Sequence, residues 1–67
     1  MPEYEIRLRG HLDPSWSAWF DDLTVQPVAE GQTILSGRLV DQTALHGVLA
    51  RIRDLALELL SLRRLDG

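Results

Sequence analysis

The sequence predicts an α+β fold, because strand-like and helix-like patterns alternate along a single chain of 67 residues. Residues 3–9 alternate charged and apolar side chains, which is typical of a strand with one exposed face. Apolar residues in the segment 45–59 recur at helical spacing, and β-rich segments lie on either side of it. A chain of this length holds one hydrophobic core, so we expect a single domain over residues 1–67.

A short helix is predicted after the first strand, from residue 14 to about residue 21. Asp13 followed by Pro14 is typical of a helix start, because the carboxylate caps the first turn and proline already holds a helical φ angle. We expect this helix to face the sheet with an apolar stripe. The stripe consists of Trp16, Trp19, Phe20 and Leu23.

The next two segments predict a β-hairpin. Residues 23–28 and 33–40 are β-rich, and Glu30-Gly31 between them is typical of a turn. Pro27 has no backbone N–H, so the first arm is expected at an edge of the sheet. Gly37 marks either a bulge or a place where an aromatic ring covers the backbone.

The second half of the chain predicts a longer helix and a last strand. Asp41 is a typical N-cap, and the helix is expected over residues 42–57. Its apolar stripe consists of Leu45, Val48, Leu49, Ile52, Leu55, Ala56 and Leu59. Residues 59–65 then predict the last strand, whose register the pattern leaves open because its leucines suit either face.

The resulting order is strand, short helix, strand, strand, long helix, strand. This is the βαββαβ order of the ferredoxin-like arrangement. Right-handed crossovers would place both helices on one face of a four-stranded antiparallel sheet.

Composition narrows the function classes. The chain has no Cys and no Lys, which excludes thiolate metal sites, a Cys nucleophile and a lysine Schiff base. We expect neither a metal nor a cofactor. The net charge of −3 disfavours nucleic-acid binding. No signal-like or membrane-length apolar run is present, so we expect a cytoplasmic protein that does not enter membranes.

The sheet face opposite the helices predicts self-association. The third strand is expected to place Ile34 and Val40 there, and the leucines of the last strand leave apolar side chains outward in either register. A small chain without disulfides also needs further stabilisation. A homo-oligomer, with a dimer as the first expectation, would cover this face.

The outer side of the long helix offers a second candidate interface. His46 lies off the apolar stripe and is expected to be solvated. Gly47 and Ala50 form a smooth strip on which another helix could pack, which would explain a glycine within a helix.

A polar–aromatic pocket is the main alternative to an interaction surface. His11, Asp13, Trp16 and Trp19 are its candidate lining residues. His11 could act there as a general base. The structural alternative is that His11 or Asp13 caps the helix, that Trp16 and Phe20 lie in the core, and that Trp19 is only partly covered.

Two smaller alternatives concern charged and terminal groups. An N-terminal Pro2, exposed after removal of Met1, could serve as a general base as in small tautomerases. The arginines could form cross-strand ion pairs or an anion site on one sheet face. They are Arg7, Arg9, Arg38, Arg63 and Arg64.

Residues 41–65, DQTALHGVLARIRDLALELLSLRRL, resemble the helix–strand half of ACT-type regulatory domains. Those domains place a capped helix before a short apolar strand containing a Leu-Ser pair. They are ferredoxin-like, usually associate through their sheets and bind amino acids at interfaces. The resemblance therefore implies a small ligand at a subunit interface, and it transfers no ligand residues.

The whole chain resembles a family of short bacterial proteins of unknown function. The shared pattern is RGHLD at residues 9–13, WSAWF at 16–20 and DQTALHGVL at 41–49. We therefore expect a non-catalytic interaction or regulatory module that self-associates, with a small ligand at the interface as an option. The alternative is a small enzyme, isomerase-like or histidine-based, with its pocket around His11.

Overall fold

A computed structural model describes residues 2–65 and contains four strands, an α-helix and two 3₁₀ helices in that range. The strands are β1 (Glu3–Arg9), β2 (Thr24–Val28), β3 (Gln32–Arg38) and β4 (Glu58–Arg64). The α-helix is α1 (Gln42–Asp54), and the 3₁₀ helices are Pro14–Phe20 and Ala29–Gly31. The predicted α+β class and the extent of β1 are confirmed.

The strands form one antiparallel sheet in the order β2-β3-β1-β4. β1 is central and pairs with β3 on one side and with β4 on the other. β2 and β4 are the edges, and Pro27 lies in edge strand β2 as predicted. The predicted four-stranded antiparallel sheet is therefore confirmed.

One hydrophobic core joins the sheet to both long helical segments. The even-numbered residues Tyr4, Ile6 and Leu8 of β1 are buried, as the alternation predicts. The remaining core residues are Phe20, Leu23, Val25, Leu35, Leu39, Leu45, Val48 and Ile52. Because the two helical segments contribute to the same cluster, they cover the same face of the sheet.

The first helix differs from the prediction in type, and this changes the position of its aromatic residues. It is a 3₁₀ helix with Pro14 as its first residue and Asp13 as its cap. Residues three apart eclipse one another in a 3₁₀ helix, so Trp16 and Trp19 share one side. That side faces solvent, and Phe20 is the buried residue of the segment. The prediction of Trp16 in the core is wrong.

The long helix ends three residues earlier than predicted. Its start agrees with the prediction, because the Asp41 carboxylate accepts a hydrogen bond from the Ala44 N–H at 2.8 Å. Its end is a Schellman motif, in which Leu57 N–H donates to the Ile52 carbonyl at 3.2 Å and Ala56 N–H to the Arg53 carbonyl at 2.9 Å. Ala56 has the left-handed φ of 58° that this motif requires.

The predicted bulge lies in a different strand. The β1–β3 register runs unbroken past Gly37, and a Cβ at Gly37 would lie 3.1 Å from the Leu23 side chain rather than against an aromatic ring. The register shift occurs between β1 and β4, where Arg7 lies opposite Ser61 and Leu8 opposite Leu59. The expectation that Gly37 marks a bulge or an aromatic contact is therefore wrong.

Candidate functional site

An apolar groove of about 420 Å³ lies between the end of α1 and the start of β4. It is lined by Leu49, Ile52, Arg53, Ala56, Leu57, Glu58 and Leu59. Five of these seven side chains are hydrocarbon, and the two charged ones are exposed. The groove is suited to apolar groups rather than to a charged ligand.

The groove lies where α1 ends and β4 begins, because the packing of the helix leaves the leucines of β4 partly uncovered. The buried stripe of α1 is Leu45, Val48 and Ile52, which packs into the common core. Leu59 and Leu62 of β4 lie opposite the buried Leu8 and Ile6, so they are on the helix-covered face of the sheet. They nevertheless remain 44% and 39% exposed.

Strand β4 offers a sheet edge without proline beside the groove. It borders β1 on one side only in the described sheet, and its seven residues include no proline. The opposite edge, β2, contains Pro27, which cannot donate to a further strand. The register shift skips Leu60, which makes Leu60 the extra residue of a β-bulge.

The open face of the sheet is charged, which corrects the expected apolar face. Glu3 lies opposite Arg38, and Glu5 lies opposite Arg63. Ile34 is on this face, half-buried and opposite Arg7. Val40 is exposed but lies beyond the end of β3, so its expected position on the third strand is wrong. The surplus apolar surface is at β4, on the other side of the sheet.

Cross-strand contacts hold two of the arginines of the open face. Arg9 pairs with Glu58 at 2.9 Å, and Arg7 donates to the Gln32 side chain at 3.2 Å. Arg64 lies opposite the buried Tyr4, so it does not share a face with the other four arginines. This alternation of charges favours cross-strand pairing over an anion site.

The structure places the pocket candidates outside the groove. His11 is exposed, and its Nε2, when protonated, donates to the Val28 carbonyl oxygen at 2.8 Å. The Asp13 carboxylate accepts from the Ser15 N–H at 2.8 Å. This backbone hydrogen bond, helped by the Ser15 side chain, lowers the pKa of Asp13. Neither residue lines the groove. The hydrogen bonds show instead that His11 connects its loop to the end of β2 and that Asp13 caps the helix.

Trp16 and Trp19 instead form a surface pair. Their ring centroids are 6.4 Å apart with an interplanar angle of 89°, and their side chains are 39% and 46% exposed. The Arg51 guanidinium lies 5.9 Å from the Trp19 ring centre and pairs with Asp21 at 3.1 Å. The pair is a raised aromatic surface rather than the wall of a pocket.

The other candidate residues are separated from both features. His46 is exposed as expected, and Gly47 and Ala50 are half-buried. A Cβ added to Gly47 would meet nothing within 4 Å, so no close packing within this chain requires that glycine. The Pro2 carbonyl accepts a hydrogen bond from Leu39 N–H at 2.9 Å.

Residues 2–65 hold neither a metal-binding cluster nor a membrane-length helix. No group of three His, Asp or Glu side chains in that range could hold a metal ion. No helix in the same range has both the length and the apolar character to cross a bilayer.

The sequence predicts outward-facing leucines in the last strand, but it predicts neither the groove nor the position of Leu59 and Leu62 on the helix-covered face. The leucines at positions 59, 60, 62 and 65 are a visible signal. Because the bulge changes the alternation within β4, that signal does not say which leucines share a face.

Comparison with known proteins identifies a family. A family model described as "Domain of unknown function (DUF8691)" matches residues 3–63. A search of curated proteins and a search of solved structures give no match.

Proposed function

We propose that this chain, which belongs to the DUF8691 family of unknown function, is a non-catalytic interaction module that pairs with a second copy along β4. The observation that carries the proposal is the combination of an edge strand without proline, two exposed leucines on its helix-covered side and an adjoining apolar groove. The β4 edge of a second copy would cover the free strand edge, the two leucines and the groove together.

The free energy of leucine burial can be compared with the free-energy cost of association. Burying the exposed parts of Leu59 and Leu62 in two copies contributes roughly 3–5 kcal/mol in total. Association costs about 4–15 kcal/mol in lost freedom of motion, so the leucines alone do not hold a dimer. Strand-to-strand hydrogen bonds and filling of the groove are needed as well, and both lie at the same edge.

The finer description of the fold belongs to this proposal. The βαββαβ order of the main elements and the central position of β1 between β3 and β4 support a ferredoxin-like arrangement. Within it, the likeness of residues 41–65 to ACT-type domains covers α1 and β4, the elements that bound the groove. A small apolar ligand held where two copies meet is the regulatory form of the proposal.

The remaining parts of the proposal rest on sequence patterns. We propose that the protein is bacterial and cytoplasmic and that its family shares the patterns RGHLD, WSAWF and DQTALHGVL. We propose no reaction, because His11 is hydrogen-bonded at the surface and does not line the groove. Nucleic acid is not proposed as a partner, since the open sheet face alternates both signs of charge.

The test is the oligomeric state of the protein purified under native conditions. Light scattering and native mass spectrometry of the wild type should show a dimer, and any ligand would appear as added mass. Leu62→Glu should give a folded monomer, because it places charge where the second copy packs. Val40→Glu, at an exposed site away from β4, should leave the dimer intact. A wild type that remains monomeric at about 100 µM, well above a Kd of about 1 µM, would refute the proposal.

A further inference from the structure

We infer that the two copies pair about a two-fold axis at the β4 bulge, with Leu59 opposite Leu62 of the second copy and Glu58 opposite Arg63 of the second copy. This inference rests on the proposed function and specifies its register.

The spacing of the two leucines is the first step. Leu59 and Leu62 both lie on the helix-covered face, opposite Leu8 and Ile6. They are three positions apart, whereas residues on one face of a regular strand are an even number apart. The bulge at Leu60 supplies the extra residue that makes this possible.

A two-fold axis perpendicular to the sheet sets the second step. Such an axis keeps each face of one copy continuous with the same face of the other. Opposed residues must therefore come from matching faces. Pairing Leu59 with Leu62 of the second copy satisfies this rule over residues 58–63, because the two bulges then face each other across the axis.

Other registers place residues of the covered face opposite residues of the open face, or match the faces over fewer residues. An axis through Ser61 would pair Leu59, on the covered face, with Arg63, on the open face. An axis through Leu62 would keep Leu62 and its immediate neighbours in step and would bring Arg63 opposite Ser61 of the second copy, without an opposite charge. The register centred on the bulge is the one that matches faces along most of the strand.

Charge provides independent support for the same register. Glu58 lies opposite Arg9 and Arg63 opposite Glu5, so both are on the open face. Both side chains are exposed. The bulge-centred register brings Glu58 of each copy opposite Arg63 of the other, which gives two symmetric ion pairs. In this register, leucine contacts leucine on the covered face and Glu58 meets Arg63 on the open face. The edge of β4 is therefore complementary to itself, which favours a second copy of this chain as the partner.

Cysteine cross-linking tests the register directly, because the chain has no cysteine of its own. L59C and L62C proteins are equilibrated together and oxidised under native conditions. The mixture should form a disulfide-linked heterodimer, since directly opposed residues are within disulfide reach. Each variant alone should not cross-link, because its two cysteines would be separated by about three residues, or roughly 10 Å, along the strand. The V40C variant, with its cysteine outside β4, gives the background level of cross-linking from random collisions.

The outcomes separate the register from the proposed function. A monomeric wild type removes both. A dimeric wild type with L62C or S61C cross-linking to itself, or with no cross-link in the mixture, overturns this register and leaves the dimer standing.

Charge reversal gives a second measurement on the same pairs. E58R alone and R63E alone should each weaken the homodimer about tenfold or more, because two attractive pairs become repulsive. Mixing the two variants should restore dimerisation as a heterodimer, since every pair is again of opposite charge. Loss of the contact between Glu58 and Arg9 within one chain would not be rescued by mixing. Failure of the mixture to recover, with both variants folded, would overturn the register.

Discussion

The fully buried hydroxyl of Thr33 donates a hydrogen bond to the Gly10 carbonyl oxygen at 2.6 Å. The Oγ1 of Thr33 in turn accepts a hydrogen bond from Leu12 N–H at 3.0 Å. One side chain in β3 thus satisfies two backbone groups of the loop that leaves β1. This loop carries His11 and leads into the 3₁₀ helix, so Thr33 positions the whole aromatic segment.

Thr33→Val should destabilise the protein by about 1–3 kcal/mol. The valine has nearly the same shape, but it leaves the Gly10 carbonyl and the Leu12 N–H without their buried partner. Urea unfolding measures the loss, and amide exchange at Leu12 should become faster. Thr43→Val, at an exposed position of α1, is the matched control and should change stability by less than about 0.5 kcal/mol. Equal effects of the two substitutions would contradict this role of Thr33.

Ala56→Gly should stabilise the chain by about 1 kcal/mol. Ala56 holds a φ of 58°, a conformation that costs a residue with a Cβ about 1–2 kcal/mol and costs glycine little. The melting temperature should rise by about 4–8 °C for a domain of this size. Ala50→Gly, within α1, is the opposite control and should lower stability by about 1 kcal/mol. A fall in both variants would show that the end of the helix does not need the left-handed residue.

Asp41→Ala should cost about 1 kcal/mol, because the cap of α1 is lost. Asp41→Asn should retain most of the stability, since the amide oxygen still accepts the hydrogen bond from Ala44 N–H. Thermal unfolding followed by circular dichroism compares the two variants. An equal loss in both would point to the negative charge rather than to the hydrogen bond.

Phe20→Ala and Trp16→Ala should differ sharply, although both residues are aromatic and belong to one helix. Phe20 is fully buried, and its loss should cost about 3–5 kcal/mol or unfold the chain. Trp16 is 39% exposed, so its loss should cost clearly less. Denaturant titration measures both. A larger loss for Trp16 would place it in the core after all.

The carboxyl group of Asp13 should titrate below its ordinary pKa. Its main stabiliser is the hydrogen bond from Ser15 backbone N–H, followed by the Ser15 side chain. Because the pKa is lower in the folded state, this carboxylate stabilises the fold above its unfolded pKa. The stabilisation is lost as the pH falls through the folded pKa.

Carboxyl carbon NMR of wild type and Ser15→Ala tests this order of causes. The variant should keep a lowered Asp13 pKa, since only the lesser contribution is removed. The stability difference between wild type and Asp13→Asn should also shrink as the pH falls over the same range. An ordinary Asp13 pKa in the wild type would contradict the capping geometry.

Local patterns predict much of this fold because they depend on neighbours in sequence. The alternation in β1, the caps at Asp13 and Asp41, and Pro27 at an edge all follow from such patterns and agree with the structure. The end of α1 does not, because the apolar stripe runs on past Asp54 into the Schellman turn. The exposure of Trp16 depends on 3₁₀ rather than α geometry, which residue spacing does not distinguish.

The amino-acid sequence by itself determined the α+β class, the approximate bounds of the main elements and the absence of thiolate or lysine chemistry. Tertiary structure alone decided where apolar surface remains. One extra residue in β4 brings Leu59 and Leu62 onto the same face, and the packing of α1 leaves both of them partly exposed. Which face a leucine occupies depends on its pairing with a strand some fifty positions away, and no pattern of adjacent residues records that pairing.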